Sequence, residues 1–431
     1  MFFCNNCLYP NLAATPLTFE DGLCSGCRVH NSTKNINWDE RYIKLKKLFN
    51  SYKSTNSYDV VIPVSGGKDS YWQTHVATKL LNLKPLLVTY HGNNYTEAGE
   101  RNLLNMRKVF DCDHIIFRPS EYLLKKMNKI GFKLQGDMNW HNHCGIFTYP
   151  IQVAVNFKVP LILWGEHGFM DIAGMYSYND YIEFTAKYRK EHILRGFDWY
   201  DFTDEGLKES GNTNIKEGIT EKDLLWAKYP SDDEIDEVGV RGIYLSNYLP
   251  WQVKNQVEEI KRLYNWESNE KAFERTYRLI SNLDDIYENG IHDYMKFVKF
   301  GYGRATDHAS KDIRNGLMTN YQNIKLTGGV DDIWQDTKTK KLIVVDYKSQ
   351  ASSHEVETDS YLSSAYHDGY KVQMDFYAYL LTEMGFDVSE NAYFLVCNAD
   401  RSAEGFYSKL NFSETLIPYC WNINWIPSKL E

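Results

Sequence analysis

The sequence predicts an α/β protein built around a parallel sheet, with a small cysteine module before it and a second, smaller α/β unit after it. Three observations predict this. Between Val60 and Trp164, strand-like apolar runs alternate with helical segments, the pattern of a parallel sheet with helices on both faces. Four of the eight cysteines stand at the N-terminus as two Cys-x2-Cys pairs. Charge shifts near Lys325: residues 326–431 hold 8 Lys and Arg against 16 Asp and Glu, which is −8 of the net −9, so the preceding residues are near neutral.

With 431 residues and 43% hydrophobic composition, the chain is long enough for two or three globular domains. The expected division is residues 1–35, 36–325 and 326–431. No apolar run approaches the length of a membrane span, and the N-terminus lacks a basic segment followed by an apolar signal region. The expected compartment is the cytoplasm, with no membrane partner.

Taking the elements in order, Cys4, Cys7, Cys24 and Cys27 have sixteen residues between the pairs, the spacing of a zinc ribbon. Gly22 and Gly26 suit the tight turns that aim two thiolates at one ion. Two disulfides are the alternative, one that a cytosolic chain rarely keeps. Cys112, Cys144, Cys397 and Cys420 are scattered and read as small core residues. From Ile36 to Lys53, Trp38, Tyr42, Leu45 and Phe49 recur at helical spacing, and this helix is expected to pack the ribbon onto the next domain.

The run Val60–Val64 then delivers Ser65-Gly66-Gly67-Lys68-Asp69-Ser70. A strand ending in two glycines and two serines, with a helix expected over residues 71–81, reads as a phosphate-binding turn; the alternative is a plain Gly-Gly turn between a core strand and a helix. The glycines let backbone approach an anion, the serines add donors, and the helix aims its positive end at the charge. Asp69 fits such a nest if Mg²⁺ bridges it to phosphate. The Walker spacing is absent.

Further strands are expected at Pro85–Tyr90, His114–Phe117 and Pro160–Trp164, with helices near 97–110, 122–130 and 147–157. Ligands of such a sheet bind beyond its carboxyl ends, where Ser65, Tyr90-His91-Gly92 and Trp164-Gly165-Glu166-His167 fall. Residues 171–239 are polar, aromatic and weakly periodic, and read as an insertion or lid rather than core. Helical spacing returns at Trp251–Tyr264 and Asn269–Leu283, followed by a segment dense in anion- and sugar-binding groups, Phe300–Arg314.

The loop Ser65–Ser70 looks like the PP-loop of ATP pyrophosphatases (adenine nucleotide alpha hydrolase-like fold). Together with the cysteine pairs, Gly145–Pro150, Leu163–Glu166, Arg241–Leu245 with Pro250-Trp251, and Phe300–Arg314, residues 1 to about 320 resemble the N-acetyl sugar amidotransferases. These are PP-loop enzymes of surface-polysaccharide and nonulosonic-acid biosynthesis. The resemblance implies ATP, Mg²⁺ and Zn²⁺ as cofactors, an N-acetyl sugar or nucleotide sugar as substrate, and conversion of its acetamido group to acetamidino. Ammonia would come from a separate glutaminase, since the chain carries no glutaminase signature.

Chemically, the amide oxygen would attack the α-phosphorus of ATP, pyrophosphate would leave into the loop, and ammonia would displace AMP. Ser65, Gly66, Gly67 and Ser70 are the candidate phosphate donors, Lys68 the charge near the phosphates, and Asp69 the Mg²⁺ ligand. Glu166, Arg304, Asp307 and His308 are candidates for the sugar or for deprotonating ammonia; each could instead serve in a salt bridge or helix cap. The family continues with several dozen helical residues after the motif Arg304–Asp307, whereas this chain changes character near residue 326. A different substrate class is tRNA thiolation, which would call on Cys112 or Cys144 and on a basic surface that the near-neutral first 325 residues do not suggest.

The terminal segment holds Gly328-Gly329-Val330-Asp331, then Leu342–Ser349 with Asp346 and Lys348, then Gln373-x3-Tyr377 on a helix. It resembles the PD-(D/E)XK nuclease core of the RecB-like type. Asp331 and Asp346 on neighbouring strands would hold a divalent ion, and Lys348, two residues beyond Asp346, shares its face and would activate water. Nucleic acid is expected as a partner only through this unit, whose acidity fits DNA binding poorly.

Overall fold

The computed structural model describes residues 2–15, 17–273, 275–318, 330–400 and 412–427. The chain forms two compact units, residues 1–318 and 319–431. The boundary expected near Lys325, together with Gly328 and Gly329, lies outside the described residues.

In the first unit a short hairpin, β1 (Phe19–Glu20) and β2 (Leu23–Cys24), belongs to the cysteine module. The main sheet comprises β3 (Val60–Pro63), β4 (Pro85–Tyr90), β5 (Asp113–Phe117), β6 (Leu161–Trp164), β7 (Glu183–Phe184) and β8 (Arg241–Tyr244). Its order is β5-β4-β3-β6-β8-β7; every pairing is parallel except β7 against β8. Val60, Val61 and Ile62 have no exposed surface, which is why β3 reads as an unbroken apolar run: a central parallel strand is covered on both faces. The chain winds outward one way from β3 through β4 to β5, then returns to lay β6 on the other side of β3. The order therefore reverses between β3 and β6, and there the loops after the two strands diverge into a crevice.

Four expectations need correction. The Trp38–Tyr52 helix does not pack on the ribbon: Leu45 and Phe49 join the core under β3, and Arg41 donates to the Tyr178 and Asn247 carbonyls. The ribbon is held instead by the segment around Tyr302–Arg314, which sequence spacing does not bring near residue 9. Residues 171–239 are core rather than a lid, since Leu194, Phe202, Leu207 and Leu224 are fully buried in a cluster with Tyr90, Ile130 and Trp140. Their helices are short and individually capped, for instance by Ser177, Asp198 and Ser231, so no periodicity accumulates over the window that would signal it.

The stretch 269–283 is not helical in its described residues. Its backbone bonds go to tertiary partners, as when the Thr96 amide donates to the Leu283 carbonyl at 2.9 Å, and these outweigh weak periodicity. Finally, β7 and β8 extend the sheet without a signal in the strand and helix alternation. The remaining helices fall close to expectation, at Glu97–Phe110, Glu121–Gln135, Tyr149–Asn156 and Val253–Tyr264.

The second unit is a four-stranded sheet of order β12-β11-β10-β9, with β9 at Asp332–Gln335, β10 at Leu342–Ser352, β11 at Asn391–Asp400 and β12 at Phe412–Cys420. β9 and β10 form an antiparallel hairpin, and β10 and β11 run parallel, joined through the helix Asp368–Glu383. That helix buries Met374, Ala378 and Leu381 against Val344, Phe394 and Val396.

Candidate active site

Each element of the Ser65 loop has a local cause. Gly66 sits at φ +75°, and a Cβ there would lie 2.6 Å from the Leu103 backbone nitrogen, so both conformation and space require glycine. Trp266 Nε1 donates to the Gly66 carbonyl at 3.0 Å and pins the turn, while the Ser65 amide donates to Ser70 Oγ at 2.9 Å. The helix begins at Lys68 with Gly67 as its N-cap, so Lys68 and Asp69 occupy the first turn, earlier than expected. No side chain caps it, leaving first-turn amides directed at the crevice.

A cavity of about 330 Å³ opens there, lined by Ser65, Asp69, Ser70 and Gln73 from the loop and helix. Opposite stand Trp164, Gly165 and Glu166 after β6, with Tyr90, Asn93 and Tyr95 after β4, and Asp284. Lys68 pairs with Asp69, whose second oxygen, Oδ1, is buried with no hydrogen-bond partner among the described residues. A buried carboxylate oxygen left unpaired is costly, and a hard cation would satisfy it, so the residues present fit Mg²⁺. Burial and the charge of Asp171 push the Glu166 carboxyl up to about 7, against the opposing pull of Lys311, whose Nζ is 2.9 Å from Glu166 Oε2. Burial also raises Asp284 above the usual carboxylate range.

The other expected residues divide. Arg304, first in the helix Arg304–Arg314, pairs with Asp293 at 2.9 Å. Asp307 does not line the cavity: it accepts from Tyr9 at 2.7 Å and pairs with Lys296, fastening the cysteine module. His308 is buried with Nδ1 2.5 Å from Thr276 Oγ1; burial and the cations Arg278, Arg304, Lys311 and Lys68 hold its pKa far below the ordinary value, so it is neutral. Sequence reading does not single out Asp171, Asp284 or Lys311. Lys311 lies inside the segment quoted for its polarity, but nothing local shows that it reaches Glu166. Nor does it find the chain from Tyr90 Oη to His141 Nδ1 (3.2 Å) and from His141 Nε2 to Glu288 (2.8 Å) behind the cavity wall.

The four N-terminal cysteines converge, with all four sulfurs within 4.8 Å of one another. Cys4 and Cys27 sulfurs are 3.7 Å apart and those of Cys7 and Cys24 3.6 Å. A tetrahedral ion with bonds of about 2.3 Å holds its sulfurs about 3.8 Å apart, whereas a disulfide needs about 2.05 Å. The site therefore fits a metal ion. Arg314 donates to Cys7 and Cys24 at 3.4 Å, and the Cys24 amide donates to Cys4. Cys112 and Cys144 are buried thiols, each pushed up to about 11 chiefly by burial.

In the second unit the expected residues meet. Asp332 pairs with Val345 across the hairpin, which sets Asp331 against Asp346, and Asp331 accepts from the Tyr347 amide at 2.7 Å. Lys348 pairs with Asp346 and lies 3.0 Å from Gln373 Oε1; Gln373 Nε2 reaches Asp346 at 3.3 Å and Tyr377 Oη at 2.5 Å. Burial, and after it the neighbouring Asp331, raise the Asp346 carboxyl, opposed by Lys348.

A roomier cavity of about 580 Å³ lies beyond the end of β5, with Phe117, Tyr149 and Trp226 in its wall; it lacks the glycine loop.

Residues 265–344 match a family described as the LPS biosynthesis protein WbpG-like C-terminal domain. A comparison with curated proteins gave no match. Among solved structures, an NH3-dependent NAD synthetase from Campylobacter jejuni subsp. jejuni is similar at 15% identity and a TM-score of 0.26, over 47% of this chain and 92% of that one. An NMN synthetase from Francisella tularensis aligns at 15% identity and 0.26, over 53% and 94%. The U34-tRNA thiolase NcsA from Methanococcus maripaludis, with its [4Fe-4S] cluster, aligns at 14% and 0.28, over 68% and 84%. TM-scores this low carry no argument about activity.

Proposed function

We propose that this chain is an ATP-dependent, AMP-forming amidotransferase that converts the acetamido group of an N-acetyl sugar or nucleotide sugar to acetamidino, in surface-polysaccharide biosynthesis in the cytoplasm. One observation carries the reading: the loop Ser65–Ser70 opens at the reversal point of a parallel sheet, with Asp69 on one side of the cavity and Glu166 on the other. The match of residues 265–344 to a lipopolysaccharide-biosynthesis family supports the substrate class.

The amides and hydroxyls of Ser65, Gly66, Gly67 and Ser70 hold the phosphates, and Lys68 balances their charge. Asp69 would hold Mg²⁺, which would supply positive charge beside the phosphates. Attack of the amide oxygen on the α-phosphorus gives an adenylated imidate, and ammonia from a separate glutaminase displaces AMP, with Glu166 the base in the cavity. Zinc on Cys4, Cys7, Cys24 and Cys27 is structural, holding the module against Arg314 and Asp307. The thiolation reading loses support because neither Cys112 nor Cys144 is exposed as a thiolate.

For the second unit, the convergence of Asp331, Asp346, Lys348 and Gln373 favours a nuclease-like divalent-cation site, with nucleic acid as its partner. The deciding experiment incubates the full chain with ATP, Mg²⁺, ammonium chloride and a panel of UDP-N-acetyl sugars. Mass spectrometry should find one oxygen replaced by NH, with AMP and pyrophosphate as co-products. ADP and phosphate, or no modified sugar across the panel, would defeat the reading.

A further inference from the structure

Lys311 stands between two cavities. Its ammonium group pairs with both Glu166, at 2.9 Å, and Asp171, and its side chain is only 14% exposed. Glu166 faces the cavity beside the Ser65 loop, whereas Lys311 also lines a second cavity of about 500 Å³, together with His30, Gln252 and Asn315. The ion triad of Glu166, Lys311 and Asp171 thus links a residue of one lining to a residue of the other, and a change in the Lys311 rotamer would break it.

On the amidotransferase reading above, we propose that the Glu166–Asp171 carboxylate pair is the binding site of the ammonium nucleophile, and that Lys311 is a tethered plug which fills it until ammonium arrives. The pair already holds one cation of the right chemistry. A lysine ε-ammonium and a free ammonium ion are both compact nitrogen-centred charges with several N–H donors, differing mainly in the tether. Lysine is the side chain suited to leave, because its four-carbon stem is flexible and its ammonium makes no rigid two-pronged contact. The roomy second cavity gives it a place to go.

Ammonium bound there faces the cavity that holds the loop. It transfers one proton to a Glu166 oxygen, an acceptor poised near neutrality because burial and Asp171 lift its carboxyl to about 7. The freed lone pair attacks the imidate carbon, a C–N bond forms, and the C–O bond to AMP breaks with its electron pair going to the phosphate. The second proton shed by the new nitrogen goes to that phosphate. The imidate nitrogen keeps the amide's own proton throughout, so the product is an amidinium.

The test uses the full chain in two arms. Crystals of Lys311→Met soaked with thallium(I), a probe for ammonium, should show anomalous density between Glu166 and Asp171, and in the unmutated protein thallium should raise acetylation of Lys311 relative to sodium, read by peptide mass spectrometry. The acetylation measurement needs no variant to fold. With an acceptor sugar, Lys311→Met should lower the KM for ammonium chloride about tenfold and Glu166→Gln raise it by a similar factor. No thallium between the carboxylates with Lys311 acetylation indifferent to it, or an ammonium KM unmoved by both variants, would overturn the plug. Loss of acceptor-dependent pyrophosphate release in the unmutated chain would instead break the amidotransferase reading, and the thallium arm would still decide whether the pair binds such a cation.

Discussion

Asp69 with Lys68 and Asp346 with Lys348 are both acid–lysine pairs at the heart of a candidate site, yet the two units build them differently. Asp69 is in the first turn of a helix, its side chain 40% exposed to an open crevice. Asp346 is within a strand and 1% exposed. In the second unit, strand geometry alone puts residues two apart on one face, and a helix supplies Gln373. In the first, neighbouring residues on a helix share little, and what makes a site of them is the arrival of Glu166, Asp284 and Lys311 from distant segments.

The sharpest way to break this contrast is Asp69→Ala. It should reduce AMP and pyrophosphate formation by about a thousandfold or more with the melting temperature little changed, since the carboxylate serves Mg²⁺ and charge balance rather than packing. Asp346→Ala should leave that rate intact, and a parallel loss would show that the two units share one reaction.

Removing the metal of the cysteine module comes next in size. Freshly purified, reduced protein should carry one zinc per chain, and chelation or Cys24→Ser should lower the melting temperature through loss of the ribbon and its contacts with Arg314. Elemental analysis without metal would count against the tetrahedral site.

Glu166 sharpens the contrast through pH. As the base it must be ionised, so the ammonia-dependent rate should rise with pH up to its raised value of about 7 and level off above it. Glu166→Gln should abolish that inflection while pyrophosphate release, the earlier step, keeps its own profile. The smallest effect belongs to the second unit. Magnesium titrated into the protein should bind with millimolar strength or better at Asp331 and Asp346, read by calorimetry, and Asp331→Asn should weaken it about tenfold or more.

Much of this was legible where the cause is local. The Val60–Val64 run announces a central strand because both its faces are buried, and the glycine pair announces the turn because Gly66, at φ +75°, admits only glycine. The cysteine spacing pointed to four sulfurs that do converge, and the hairpin logic to Asp331, Asp346 and Lys348, which meet around one face of the hairpin. Where the cause is distant, the reading failed. Residues 171–239 look like a lid because short capped helices carry no long period, although Leu207 and Leu224 are fully buried. Asp307 looks like a sugar ligand because an acid in a polar segment has no visible partner, yet Tyr9 and Lys296 claim it.

By itself, then, the sequence determined the strand, the glycine turn that ends it, the cysteine quartet and the acidic hairpin, because each depends on backbone geometry and on residues close in the chain. Only the tertiary structure decided which carboxylates face the loop, that Lys311 sits between Glu166 and Asp171, and that the segment after Phe300 clasps the cysteine module. The physical reason is that a charge buried by folding must find its partner among whatever the strand order brings alongside. In this chain that order reverses between β3 and β6, setting Glu166 across the cavity from the Ser65 loop, and there Lys311, from far along the chain, meets it.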